Sequence, residues 1–207
     1  MSTGKLVILD DRQDLLIEAC VGRYGFSSET KLTNDWQMHF DTHAKNHPAI
    51  LANPTILLDS RFHSVLVING PNLNLLGTRE PEIYGSETLE TISQRCKNRI
   101  ETTNCKLEFR QSNHEGEIVT WIQEASDIEV LILNAGAYTH TSIAIHDALK
   151  SFNGLIVELH ISNPHRREPF RRQSFIKSIA SSACLGLGPD GYEMILELIS
   201  MEANVGS

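Results

Sequence analysis

Positive charge is scarce in this chain. Its 18 lysines and arginines against 26 aspartates and glutamates leave a formal net charge of -8. That balance argues against a general nucleic-acid binder, because neutralising phosphates requires a basic surface. No apolar run is long enough to span a bilayer, so no membrane partner is expected. Cysteine is sparse as well: Cys20, Cys96, Cys105 and Cys184 are scattered without a C-x-x-C pair. The N-terminus carries no basic-then-apolar secretory segment, and reduced thiols in the cytoplasm are the expectation. A glycine-rich phosphate loop after the first strand is missing too, which counts against a nucleotide-type cofactor. There is no internal repeat and no low-complexity tract.

What is present is organised around VLVINGPNLNLLGTREPEIYG, residues 65–85. The β-branched run Val65 to Ile68 stops at Asn69-Gly70-Pro71-Asn72, turn formers that cannot continue a central strand. The polar stretch beyond it, with Arg79 and Tyr84, reads as a flap folding back over the strand end. In open α/β sheets ligands bind at the carboxyl ends of parallel strands, so the rest of the chain is expected to bring complementary groups to that edge.

Residues 1–62 read as an N-terminal extension of uncertain structure and residues 63–207 as the principal domain. In the extension, Leu6 to Leu9 suits a strand and Asp11 to Arg23 a helix. His39, His43 and His47 recur every four residues, but no third ligand type joins them, and a solvated helix face outweighs a metal site. From Ser64 onward strand and helix alternate. Helices are expected over 87–103, 114–126, 141–152 and 190–202, with Asn113 or Ser112 capping the second. Strands are expected over 106–109, 129–133, 155–160 and 183–185, giving a doubly wound parallel sheet.

Two strand ends carry chemistry. After the third strand of this domain come Asn134, small residues and His140 beside a helix start, a receptor for an oxygen-rich anion or simply a capped helix. Asp147, further along, is either a hydroxyl-binding carboxylate or a surface acid. In Leu155 to Ser162, alternation puts Glu158 and His160 on one face and Leu155, Val157, Leu159 and Ile161 on the other. A carboxylate that orients an imidazole helps it retain a proton for donation, as a general acid must. Arg166, Arg167, Arg171 and Arg172 follow at once, and in an acidic chain carboxylate capture competes with a merely solvated face.

The motifs NGPNLNLLG, REP, IYG, RQSNHEGE, LNAGAYTHTS and ELHISNPHRREPFR, followed by Gly186, Gly188, Gly191 and Tyr192, together resemble the type II 3-dehydroquinate dehydratases over roughly residues 64–202. The resemblance implies a flavodoxin-like fold, a homododecamer built from trimers, and neither metal nor organic cofactor. It implies anti elimination of water from 3-dehydroquinate through an enolate, in the shikimate or quinate pathway. It makes Tyr84 the base, Arg79 the cation holding Tyr84 as phenolate, His160 the acid supported by Glu158, and Asn72 the group that positions a water against the enolate. Asn134, His140, Asp147, Ile161, Ser162 and Arg171 would bind substrate.

Ionising tyrosine at neutral pH costs roughly 4 kcal/mol from its usual pKa. One guanidinium at about 4 Å supplies around that amount at an effective dielectric of 20. Two positions depart from the pattern: His146 stands where relatives often have arginine, and Gln173 where histidine is common. A non-catalytic binder of a cyclic polyhydroxy carboxylate and a flavodoxin-like cofactor protein are the rival readings.

Overall fold

The computed structural model describes residues 5–9, 27–28, 49–52, 62–78 and 87–200. The helix expected over 11–23, the histidines at 39, 43 and 47, and the flap residues Arg79 and Tyr84 lie outside these residues. Eight strands, β1 (Lys5–Leu9), β2 (Ser27–Ser28), β3 (Ala49–Ala52), β4 (Ser64–Asn69), β5 (Lys106–Gln111), β6 (Val130–Asn134), β7 (Leu155–His160) and β8 (Ser182–Leu185), form one sheet in the order β2-β1-β3-β8-β7-β6-β4-β5. Every neighbouring pair is parallel except β3 with β8. Among the described residues four helices accompany it, α1 (Leu89–Ile100), α2 (Glu115–Glu124), α3 (Ile143–Leu149) and α4 (Asp190–Ser200). The fold is mixed α/β with a mostly parallel sheet.

Alternation along the strands builds a core on each face of this sheet. Val65, Val67, Val130, Ile132, Val157 and Leu159 pack with Ile92, Cys96 and Ile100 of α1 and with Ile195 and Leu198 of α4. Leu66, Ile68, Leu131, Leu133 and Ile156 pack with Ile118 and Ile122 of α2 and Ile145 and Leu149 of α3. Because helices cover both faces, β6 is buried at every position and reads as a continuous apolar run rather than an alternating one.

The helix starts are set by hydroxyls, since the first N–H groups of a helix have no partner within it. Thr88 Oγ1 accepts from Thr91 N at 3.1 Å and Ser142 Oγ from Ile145 N at 2.9 Å. The second helix departs from expectation. His114 occupies its cap position without a side-chain bond, while Ser112 Oγ accepts from His114 N at 2.8 Å and Asn113 turns elsewhere. Arg95 ties α1 to α4 through Asp190 at 2.6 Å and Glu193 at 2.8 Å.

The segment before residue 62 continues the sheet. β3 runs antiparallel along β8, with Ile50 opposite Leu185 and Ala52 opposite Ala183. Ser182 Oγ donates to the Ala52 carbonyl at 2.7 Å. Leu51 is fully buried in the same core as Val157 and Leu159. An outer strand would otherwise present a row of unpaired backbone groups, and β3 covers that edge.

Candidate active site

The chain leaves β4 for β5 on one side of the sheet and returns to β6 on the other, so the loops after β4 and β6 diverge and leave a crevice at their carboxyl ends. Two glycines bring these loops into backbone contact. A Cβ on Gly70 would lie 2.3 Å from the Ala135 carbonyl oxygen, and one on Gly136, whose φ is +58°, would lie 3.1 Å from the Pro71 oxygen. Only glycine fits either place. Gly70 N donates to the Asn134 carbonyl at 2.7 Å, closing the contact. The smallness of this region therefore serves loop against loop before it serves any ligand.

The resulting cleft is lined by Asn72, Asn134, His140, His160, Ile161, Ser162 and Arg171, with Pro71, Leu73, Leu76 and Arg167 among the remaining walls. Seven of the eleven residues singled out in the sequence are thus brought together. Glu158 stands directly behind them. Asp147 is not among the lining residues: it sits exposed on α3, paired with Lys150 at 3.2 Å. Arg79 and Tyr84 lie outside the described residues.

The floor of the cleft is a buried acid–base pair. His160 Nε2 and Glu158 Oε1 are 2.9 Å apart, and both side chains are nearly inaccessible. Ser174 Oγ donates to the same carboxylate oxygen at 2.8 Å. Burial works against ionisation of Glu158, but the bonds from His160 and Ser174 prevail and hold its carboxyl below the usual carboxylate range. An ionised Glu158 only accepts, so it fixes Nε2 of His160 as the donor and leaves Nδ1 for chemistry. On their other side the pair faces a small, mainly apolar chamber walled by Ile50 and Ala52 of β3 and by Ala183 and Leu185 of β8.

His140 stacks on His160, ring centroids 6.2 Å apart. Its Nδ1 lies 2.7 Å from the Gln173 carbonyl, which cannot donate, so Nδ1 carries the proton and Nε2 is the acceptor of the neutral ring. Burial lowers the His140 pKa below its usual value, outweighing that bond. Gln173 therefore contributes through its backbone, which any residue there would supply. His146 Nδ1 likewise donates to the Phe175 carbonyl at 2.6 Å, fastening α3 to the loop after β7.

The rim is held differently. Asn72 has φ +67°, a left-handed conformation that asparagine tolerates better than most residues, and its N–H donates to Asn113 Oδ1 at 2.9 Å. Tyr138 OH donates to the Asn113 carbonyl at 2.9 Å. Asn113, expected as a helix cap, is instead the brace between the loops after β4 and β6. Arg171 Nε donates to Glu168 Oε2 at 2.9 Å, and its guanidinium lies over the exposed ring of Phe170.

Sequence reasoning assigned no role at the site to Ser174, Asn113 or Asn69. Each acts on a partner 16 or more residues away, which no local pattern conveys.

Residues 63–200 match the model of the dehydroquinase class II family. The chain belongs to that family. The chain is 48% identical over 143 residues to the 3-dehydroquinate dehydratase of Bartonella bacilliformis, covering 69% of this chain and 90% of the relative. It is 50% identical over 133 residues to 3-dehydroquinate dehydratase 2 of Pseudomonas putida, covering 64% and 89%. The crystal structure of type II dehydroquinase from Butyrivibrio crossotus superposes with a TM-score of 0.65 at 41% identity, covering 68% of this chain and 99% of that one. That from Propionibacterium acnes gives 0.64 at 36% identity, covering 68% and 99%. The class II dehydroquinase match begins at residue 63, so β1, β2 and β3 lie before it.

Proposed function

We propose that this chain is a type II 3-dehydroquinate dehydratase, a hydro-lyase converting the small molecule 3-dehydroquinate to 3-dehydroshikimate as a step of the shikimate pathway. Family membership supplies the reaction. The observation that carries it onto this chain is the buried Glu158–His160 pair opening onto the cleft that Asn72, Asn134 and His140 share.

In the mechanism we favour, Tyr84 as phenolate removes a proton from C2, with Arg79 stabilising that phenolate. The resulting enolate is met by a water positioned by Asn72. His160 then protonates the departing C1 hydroxyl, which leaves as water on the opposite face. Glu158, ionised and bonded to Nε2, fixes the tautomer and orientation of the imidazole and leaves Nδ1 for the departing hydroxyl. Neutral His140 offers Nε2 to a substrate hydroxyl, and Asn134, Ser162 and the backbone at Ile161 add further polar contacts along the cleft. Arg171, at the rim, is suited to bidentate capture of the substrate carboxylate. A substrate contact by Asp147 requires a second copy of the chain to present it, which accords with the homododecamer built from trimers that we propose.

The strand order of the family-matched part, β5-β4-β6-β7-β8, supports a flavodoxin-like description. We retain the division at residue 62 between an extension and the catalytic domain as a division by family match. We propose that the enzyme works in the cytoplasm without metal or organic cofactor. The described residues contain no helix long and apolar enough to cross a membrane.

Purified protein given 3-dehydroquinate is expected to generate the conjugated-enone absorbance of 3-dehydroshikimate, and Tyr84→Phe to abolish it while binding persists. Ligand binding without any absorbance change in the wild type would make the chain a binder rather than a lyase.

A further inference from the structure

The cleft's Asn134 is anchored from below by a buried phenol. Tyr192, near the start of α4, is wholly inaccessible. Its hydroxyl accepts from Asn134 Nδ2 at 2.9 Å and donates to Asn69 Oδ1 at 2.6 Å. Asn69 Nδ2 in turn donates to the Arg110 carbonyl at 3.1 Å. Asn69 and Asn134 are register neighbours at the ends of β4 and β6, so one hydroxyl stitches together the two strands that frame the cleft.

The polarity of this chain follows from its far end. The Arg110 carbonyl can only accept, so the Asn69 amide must present Nδ2 to it and Oδ1 to the phenol. The phenol proton is then committed to Asn69, and the hydroxyl meets Asn134 as an acceptor. Asn134 must therefore turn Nδ2 downward, which leaves Oδ1 and the second N–H for the cleft it lines. Burial also pushes the Tyr192 pKa upward, so the donor does not ionise in the neutral range.

We propose that Tyr192 is a positioning residue that presets the Asn134 amide for a hydroxyl-bearing substrate, through the relay Asn134, Tyr192, Asn69 and the Arg110 carbonyl. Without the phenol, Asn134 and Asn69 would each keep a buried group unsatisfied, and the amide would be free to turn over. The identity of the substrate rests on the dehydratase reading; the hydrogen-bond relay does not.

The test is a double-mutant cycle of Tyr192→Phe and Asn134→Ala, read as KM and kcat for 3-dehydroquinate. Tyr192→Phe is expected to raise KM about tenfold, with kcat changed less, because an unfixed amide binds the ground state poorly. On top of Asn134→Ala it should add nothing, since the group it acts through is gone. An unchanged KM with a lowered melting temperature, or effects that simply multiply, would overturn the proposal.

If Tyr192→Phe does not fold, Asn69→Ser carries the same test: it keeps the phenol, shortens its acceptor, and is expected to raise KM only where Asn134 is intact. Crystals of Tyr192→Phe, or of Asn69→Ser in its place, give an arm independent of activity. A turned or mobile Asn134 amide upholds the relay even if the wild type proves inactive and the dehydratase reading fails, whereas an unmoved amide sinks it.

Discussion

The floor and the rim of the cleft are built on opposite principles. On the floor, Glu158, His160 and Asn134 are buried, and each is held by a second side chain: Ser174, Glu158 and Tyr192 respectively. On the rim, Asn72 is exposed and fixed through its backbone, while Arg171 is held, among the described residues, by a partly exposed glutamate and the face of Phe170. Chemistry that moves a proton needs donors whose tautomer and direction are settled before substrate arrives, and buried networks settle them. Capture of a charged group needs reach and access, which the rim retains. The buried Glu158–His160 pair should therefore govern kcat, and the groups that hold substrate, Asn134 on the floor and Arg171 on the rim, should govern KM.

Substitutions on the two sides sharpen that division. Among substitutions that leave His160 and Tyr84 in place, the largest effect is expected from Glu158→Gln. It keeps the shape but removes the negative partner, and kcat should fall about a hundredfold with KM within a few-fold. Arg171→Ala should do the reverse, raising KM about tenfold through loss of a charge-assisted contact while sparing kcat. Steady-state kinetics of the two variants side by side would break the comparison if both parameters moved alike.

A stability effect comes next. Burial, helped by Lys177, lowers the His165 pKa from 6.5 to about 4. Between those values the unfolded chain takes a proton that the folded chain refuses, so the stability present above pH 6.5 is lost as pH falls toward 4. Allowing for the ring's partial exposure, about 1 kcal/mol should disappear. Urea titrations at pH 7 and 4.5 should show the loss, and His165→Asn should flatten it. The smallest effect belongs to Ser174→Ala. It removes one of two donors to Glu158 and should lower kcat by roughly threefold without altering KM.

The floor was also the more legible part of the sequence. Period-two alternation alone put Glu158 and His160 together on one face of β7, and the burial of Val157, Leu159 and Ile161 on the other face bears this out. The parallel sheet was legible for a related reason, because apolar runs such as Val130 to Leu133, alternating with amphipathic helical stretches, suit strands covered on both faces. What alternation cannot convey is a partner from a distant element. Tyr192 meets Asn69 across 123 residues and Asn134 across 58, and Ser174 reaches Glu158 from the loop beyond β7.

The cap expected of Asn113 or Ser112 falls to His114 instead: Ser112 Oγ accepts from His114 N, and the Asn113 side chain is taken up by a brace to Asn72, set by the approach of two loops. Nor did composition reveal that β3 would cover the free edge of β8. Its four residues are apolar, but only the sheet's own geometry says which edge is open.

The claim on which all this depends is that His160 donates the proton that lets the hydroxyl leave. It is tested most directly by kcat of His160→Ala at saturating 3-dehydroquinate, followed as enone absorbance. A fall of about a thousandfold with KM nearly unchanged is predicted; a variant keeping a tenth or more of the wild-type kcat would contradict it.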